Sequence, residues 1–335
     1  MVKIDLITGF LGSGKTTFIK EYARYLMRQG LNIGILENDY GAINVDMMLL
    51  QDLEGEKCEL EMIAGGCDAD CHRRRFRTKL IAMGMCGYDR VIVEPSGIYD
   101  VDEFFDALRE DPLDQWYEIG NVITIVDAKL EKDLSETADY LLASEAANAG
   151  CILLSHADEA DPVQMDETIA HLNAAMEGIQ CKRRFSEEVI RKSVLQFVDK
   201  DFEKIANCGY RIESYEKRFV EDSGEFSSLY YMNKAFDRDR LEVLVKQVFA
   251  DVSCGRVFRI KGFFLDQDKK WVELNATKDQ IRFAPIGAGQ DIVIVIGQDL
   301  SRKILINIYL SRLCGWRSVC RSGCPWRRTF PRTQS

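Results

Sequence analysis

Gly9-Phe10-Leu11-Gly12-Ser13-Gly14-Lys15-Thr16 decides the fold of this chain. It meets the pattern G-x-x-x-x-G-K-[ST] at every fixed position. An apolar, β-branched run, residues 2–8, precedes it. After it, residues 16–29 carry Phe18, Ile19, Tyr22, Tyr25 and Leu26 at helical spacing, and Gly30 ends the stretch. A strand, a glycine loop and a helix in that order make a phosphate cradle. Glycines let successive N–H groups curl around an anion without Cβ obstruction, and the helix N-terminus adds a favourable dipole. Gly9, Gly12, Ser13 and Gly14 supply the cradle on this reading, and Thr17 follows it into the helix. Lys15 reaches the β- and γ-phosphates, and the Thr16 hydroxyl ligates Mg²⁺. The stretch implies a nucleoside triphosphate.

Working outward, residues 32–36, 89–93, 121–126 and 151–154 read as further strands, and Pro162 heads a helix running to Gly178. Strands alternating with helices predict an α/β fold: a parallel P-loop NTPase sheet with helices on both faces. The strand at 89–93 ends in Glu94, followed by Pro95-Ser96-Gly97. An acid in that position stands beside Mg²⁺, so Glu94 joins Lys15 as the candidate catalytic pair and Thr16 as metal ligand. Gly97 lets a backbone amide approach the γ-phosphate.

The second half changes character. Residues 182–206 are charged and helical in pattern. Beyond about residue 210, strands at 228–233, 256–265, 271–275, 280–285 and 291–296 surround one helix at 237–249, which predicts a smaller α+β domain. The expected division is a nucleotide-binding domain at 1–215, an α+β domain at 216–311 and a tail at 312–335. The tail holds six arginines, three cysteines (Cys314, Cys320, Cys324), no lysine and no acid. It reads as a disordered arm or an out-of-frame extension.

The whole chain has 335 residues, 44 Lys+Arg and 54 Asp+Glu, for a charge of −10. Setting the tail's +6 aside leaves −16 on the rest, which argues against nucleic acid as a partner. No run of 18 apolar residues is present, so no membrane span is expected. Eleven cysteines without an export signal read as reduced thiols or metal ligands in a cytoplasmic protein.

Taken together, these motifs resemble the CobW-like GTPases, relatives of the urease and hydrogenase maturation GTPases. The resemblance rests on residues 8–17 (TGFLGSGKTT), 37–41 (ENDYG) with Asp46, 93–97 (VEPSG) and 122–127 (VITIVD). Residues 255–264 (GRVFRIKGFF) and 294–300 (IVIGQDL) extend it into the second half. It implies a GTPase whose cycle opens and closes a metal-binding segment, inserting zinc or cobalt into a client metalloprotein or cofactor-dependent enzyme. A nucleotide- or metal-dependent homodimer comes with it. The switch segments would be residues 38–46 and 64–77.

Two departures stand out. The family's Gly-Cys-x-Cys-Cys metal motif is here Gly66-Cys67-Asp68-Ala69-Asp70-Cys71, and Ala42 replaces an acid common in the family. Cys67 and Cys71 are the candidate ligands. Cys58, His72, Asp68 or Asp70 could complete a tetrahedral site. The guanine-reading motif Asn-Lys-x-Asp is here Ser155-His156-Ala157-Asp158, which keeps the carboxylate that pairs with guanine and favours GTP over ATP. No arginine finger can be assigned, so intrinsic hydrolysis is expected to be slow. Two other readings stay open: a nucleotide-controlled switch acting on a client without metal cargo, and a small-molecule P-loop kinase.

Overall fold

The structure is a computed structural model. It describes residues 1–39, 46–64, 69–95, 101–218, 226–232, 237–278 and 280–306. The chain forms two compact units, Met1–Glu221 and Asp222–Ser335.

In the first unit the elements run β1 (Val2–Thr8), α1 (Lys15–Arg28), β2 (Ile33–Asp39), α2 (Asp46–Leu50), β3 (Cys58–Ala64) and α3 (Ala69–Gly84). There follow β4 (Arg90–Pro95), α4 (Val101–Leu108), α5 (Leu113–Trp116), β5 (Tyr117–Asp127) and α6 (Glu136–Ala147). The unit continues through β6 (Cys151–Ser155), α7 (Pro162–Gly178) and α8 (Asp199–Ile205). The six strands form one parallel sheet in the order β3-β2-β4-β1-β5-β6. The sheet is buried on both faces. Ile7, Ile35, Ile92, Ile123 and Ile125 pack with Phe18, Ile19 and Tyr22 of α1 and Phe202 and Ile205 of α8. Leu6, Leu36, Val91, Val93, Val122 and Val126, of opposite parity on the same strands, are equally buried.

A carboxylate sits inside this core with all its needs met. Asp5 Oδ2 accepts from the Tyr22 hydroxyl (2.8 Å) and the Arg90 guanidinium (2.9 Å), and Oδ1 accepts from the Asn121 backbone and side chain (2.9 Å each). The β1–β5 register shifts between Ile4 and Leu6, at this residue.

Two parts of the first unit differ from the sequence reading. β3 is an edge strand that the apolar pattern does not announce, because Glu59 and Glu61 interrupt it. Residues 182–198 form no α-helix, only one 3-10 turn at Val194–Gln196. Their backbone is satisfied from elsewhere: Asn173 exchanges two hydrogen bonds with the backbone of Phe185, and Ile190 forms a parallel bridge to Leu153 of β6. This extended strap covers the exposed edge of β6, which an unpaired strand would otherwise leave open to other chains.

The second unit runs β7 (Phe226–Met232), α9 (Arg238–Ala250), β8 (Arg256–Leu265), β9 (Trp271–Ala276), β10 (Ile281–Pro285) and β11 (Ile292–Gln298). Its antiparallel sheet has the order β10-β9-β8-β11-β7. Leu241, Leu244, Val245 and Val248 of α9 pack on Ile260, Leu274, Val293 and Val295 to make a separate core.

Candidate functional site

Because all six strands of the first sheet are parallel, the loops that follow β1, β2, β4, β5 and β6 emerge on one edge. That edge is where ligands gather in open α/β sheets.

The loop after β1 has the backbone that its glycines allow. Gly9, Gly12 and Gly14 have φ of +147°, +86° and +90°. A Cβ on Gly9 would stand 2.3 Å from the Ile125 carbonyl oxygen, so only glycine fits there. Lys15 is 8% exposed, and its Nζ donates to the Gly9 carbonyl at 2.8 Å, folding the side chain back over the loop. The Ser13 hydroxyl is buried without a hydrogen-bond partner among the described residues.

Beside the loop, Thr16 Oγ1 donates to Glu94 Oε1 at 3.2 Å. Glu94 is the last acid of β4 and 5% exposed. Its register neighbour Glu37 on β2 is also buried. Asn38 follows Glu37, fully buried, and both polar atoms of its amide lack a partner among the described residues. A buried hydroxyl, a buried amide and oxygen ligands from Thr16 and Glu94 are a donor set suited to an anion held with Mg²⁺, a hard cation that takes oxygen ligands.

The ends of β5 and β6 form a second cluster. Asp127 Oδ2 lies 3.1 Å from His156 Nδ1, and Asp127 Oδ1 accepts from the Lys129 backbone at 2.9 Å. Burial works against ionisation of Asp127, but the His156 hydrogen bond and the nearby positive groups hold its carboxyl below the usual carboxylate range. His156 adopts a left-handed backbone (φ +51°), which swings its ring toward Asp127. Lys129 pairs with Glu159 at 2.8 Å. Asp158 stands exposed at this end.

Sequence reasoning missed the partnership of Asp127 with His156. It also missed Glu145 of α6, a fully buried acid that feels the Lys15 charge and the Gly9 amide.

The metal segment is only partly in view. Cys67 and Gly97 lie outside the described residues, as does the tail 312–335. Cys71 is half-buried in the first turn of α3, Asp70 is exposed and His72 is buried. Cys58 lies at the far end of β3 from Ala64. It begins β3, opposite Ile33, while the segment with Cys67 follows Ala64 at the other end of the strand, about 20 Å away at ~3.3 Å per residue. Burial pushes its thiol up to about 12. No group of three His, Cys, Asp or Glu able to hold a metal ion occurs among the described residues. In the basic cluster that follows Cys71, Arg73 pairs with Glu103 at 3.3 Å and Arg77 with Glu110 at 2.8 Å.

With this geometry in place, comparison with known proteins gives the family. The CobW/HypB/UreG nucleotide-binding domain matches residues 3–185, more than half of the chain. The chain belongs to this family. The zinc chaperone YjiA of Escherichia coli (strain K12) is 27% identical over 184 residues, 52% of this chain and 55% of that protein. The zinc chaperone YeiR of the same organism is 28% identical over 163 residues, 48% of each chain. This chain therefore spans about half the length of the curated relatives it matches. A solved structure of Zn(II)-bound YjiA GTPase from E. coli aligns over 93% of this chain and 98% of its own, at 17% identity and a TM-score of 0.38. No helix among the described residues is long and apolar enough to cross a membrane.

Proposed function

We propose that this chain binds GTP with Mg²⁺, hydrolyses it, and uses the cycle to deliver a metal ion, zinc or cobalt, to a client metalloprotein or cofactor-dependent enzyme. The observation that carries the nucleotide reading is the 3.2 Å Thr16–Glu94 hydrogen bond beside a loop built on positive-φ glycines. The amides of Gly12, Ser13, Gly14, Lys15, Thr16 and Thr17 would hold the phosphates, and Lys15 would exchange the Gly9 carbonyl for a phosphate oxygen. Thr16 and Glu94 would hold Mg²⁺, which neutralises phosphate charge when bound. Gly97 would offer its amide to the γ-phosphate. Asp158 would accept from the guanine N1 and N2 groups, which favours GTP over ATP.

The metal reading rests on position and on the named relatives. The segments that follow β2, β3 and β4 begin side by side, because these strands are neighbours in the sheet. A γ-phosphate near Thr16 and Glu94 can therefore bias the segment that holds Cys67 and leads to Cys71. Thiolates suit Zn²⁺, and proteins similar to this chain carry the name zinc chaperone.

Titration calorimetry with GTP and ATP, each with and without Zn²⁺ or Co²⁺, tests base choice, metal binding and their coupling together. The expected result is tighter binding of GTP than ATP, and a shift in GTP affinity with metal that is matched by the reciprocal shift in metal affinity. Lys15→Ala should weaken GTP binding by about 10–100-fold, the value of a hydrogen bond to a charged group. Equal affinities for GTP and ATP would remove the role given to Asp158. Unchanged metal stoichiometry in a Cys67→Ser, Cys71→Ser double variant would remove the metal role of this loop.

A further inference from the structure

Outside the nucleotide edge, two thiols face each other at the opposite end of the sheet. Cys151 is the first residue of β6, so its backbone lies about 13 Å from Ser155 at the strand's far end. Cys208 follows α8. The chain segments that carry them form an antiparallel bridge at Ala149 and Tyr210. The Arg211 amide donates to the Asn148 carbonyl at 3.0 Å, which makes Ala149–Tyr210 a non-hydrogen-bonded pair. The bridge is an isolated one, and Cys151 and Cys208 each lie two residues from it, on the two segments that it joins. Between them the backbones touch: a Cβ on Gly150 would stand 2.1 Å from the Gly209 carbonyl oxygen and 2.6 Å from that of Cys208. Non-hydrogen-bonded antiparallel pairs hold their Cα atoms about 4.5 Å apart, within the span that a disulfide bridges.

The two side chains are in contact. The Cys208 thiol donates to the Gly209 carbonyl at 3.6 Å and the Cys151 thiol to the Ile152 carbonyl at 3.8 Å, and each thiol perturbs the ionisation of the other. The neighbouring Cys208 thiol holds the Cys151 thiol below its ordinary range against the cost of burial, and the charges of Lys204 and Arg183 act in the same sense. Cys208 is correspondingly raised. Both residues are half-buried and both thiols are free. A thiol whose ionisation its neighbour favours, a second thiol beside it and access for a small molecule are the requirements of a dithiol that exchanges with disulfides.

We propose that Cys151 and Cys208 form a redox modification site, closed to an intramolecular disulfide by a low-molecular-weight disulfide such as oxidised glutathione. The Cys151 thiolate attacks one sulfur of the small disulfide, whose S–S bond breaks and releases one thiolate. Cys208 then loses its proton and attacks the Cys151 sulfur, breaking the mixed disulfide and releasing the second thiolate. Two protein thiols are oxidised, the small disulfide is reduced to two thiols, and the two protons pass to them. The bridge would staple α8, whose Phe202 packs on Tyr22 and Tyr25 of α1, to the first residue of β6.

The test uses the reduced full chain in glutathione buffers of graded oxidation. Samples are quenched with acid, alkylated and mapped by mass spectrometry. The expected product is a Cys151–Cys208 cross-linked peptide lighter by two hydrogens, forming in buffers where the exposed Cys86 goes no further than a glutathione adduct. In Cys208→Ser, Cys151 should stop at its glutathione adduct. In Cys151→Ser, Cys208 should remain a thiol. The oxidised wild type should melt at a higher temperature than the reduced form, and this difference should vanish in Cys208→Ser. Recovery of both residues as alkylated thiols at every buffer ratio would overturn the proposal, and so would cross-linking of either one mainly to another cysteine.

Discussion

At the scale of single residues, the carboxyl of Glu145 is fully buried within reach of the Lys15 charge and the Gly9 amide. Its backbone carbonyl accepts from the Thr124 hydroxyl at 2.8 Å, which fixes the end of α6 against β5. Burial pushes its side chain up to about 8, while the Lys15 charge and the Gly9 amide act in the opposite direction. In the unfolded chain the same group ionises near 4.5. Between these values the folded protein keeps a proton that the unfolded chain has released. The contribution of Glu145 to stability is therefore fully present below about 4.5 and is lost as pH rises through about 8. Glu145→Gln keeps the shape and removes the titration. Across this window, urea unfolding should show wild-type stability falling by roughly 2–5 kcal/mol relative to the variant. Equal slopes in the two proteins would show that Glu145 does not carry the effect. Nothing in the sequence marks this residue, which sits in an Ala- and Leu-rich helix like any surface acid. Only tertiary packing places it beneath Lys15. The phosphate loop is the contrary case, because Gly9, Gly12, Gly14 and Lys15 are demanded by local backbone geometry and so are legible in order and spacing.

At the scale of elements, the sequence was readable wherever a segment's own periodicity decides its structure, and opaque where a distant side chain does. β1, α1 and β5 are the first kind. The strap at 182–198 is the second: its charges suggest a helix, yet Arg183 is 8% exposed and its guanidinium donates to the carbonyls of Ala146 (3.2 Å) and Ala147 (2.9 Å). These are the last two carbonyls of α6, of which that of Ala146 also accepts from the Ala149 amide at 3.2 Å, and the positive charge meets the negative end of the helix dipole. The same guanidinium lies 4.6 Å from the Phe185 ring centroid. Arg183→Ala should cost about 2–4 kcal/mol, the sum of charged hydrogen bonds and a partly desolvated cation–π contact. Arg183→Lys should recover less than half, because an ammonium lacks the planar fork that reaches two carbonyls. Denaturant midpoints measure both. A loss below about 0.5 kcal/mol for Arg183→Ala, the scale of an ordinary surface substitution, would mean that the strap is held by its other contacts, among them Ile190 and Asn173.

At the scale of the whole molecule, two cores imply two cooperative units. The parallel sheet closes its core around Ile7, Tyr22 and Phe202, and the antiparallel sheet closes its own around Leu241, Phe264 and Val293. Each cluster is complete within its unit, so each should unfold as a separate transition in scanning calorimetry. The phosphate loop, Glu94 and Asp158 all belong to Met1–Glu221. A ligand that binds only the folded state stabilises the unit that holds it by RT ln(1 + [L]/Kd), about 2.7 kcal/mol at a hundredfold excess over Kd. GTP with Mg²⁺ should therefore move one transition upward and leave the other in place. Lys15→Ala should abolish that shift without changing the second transition. If both transitions move together with nucleotide, the γ-phosphate is felt beyond the sheet that binds it, and the second unit becomes part of the switch.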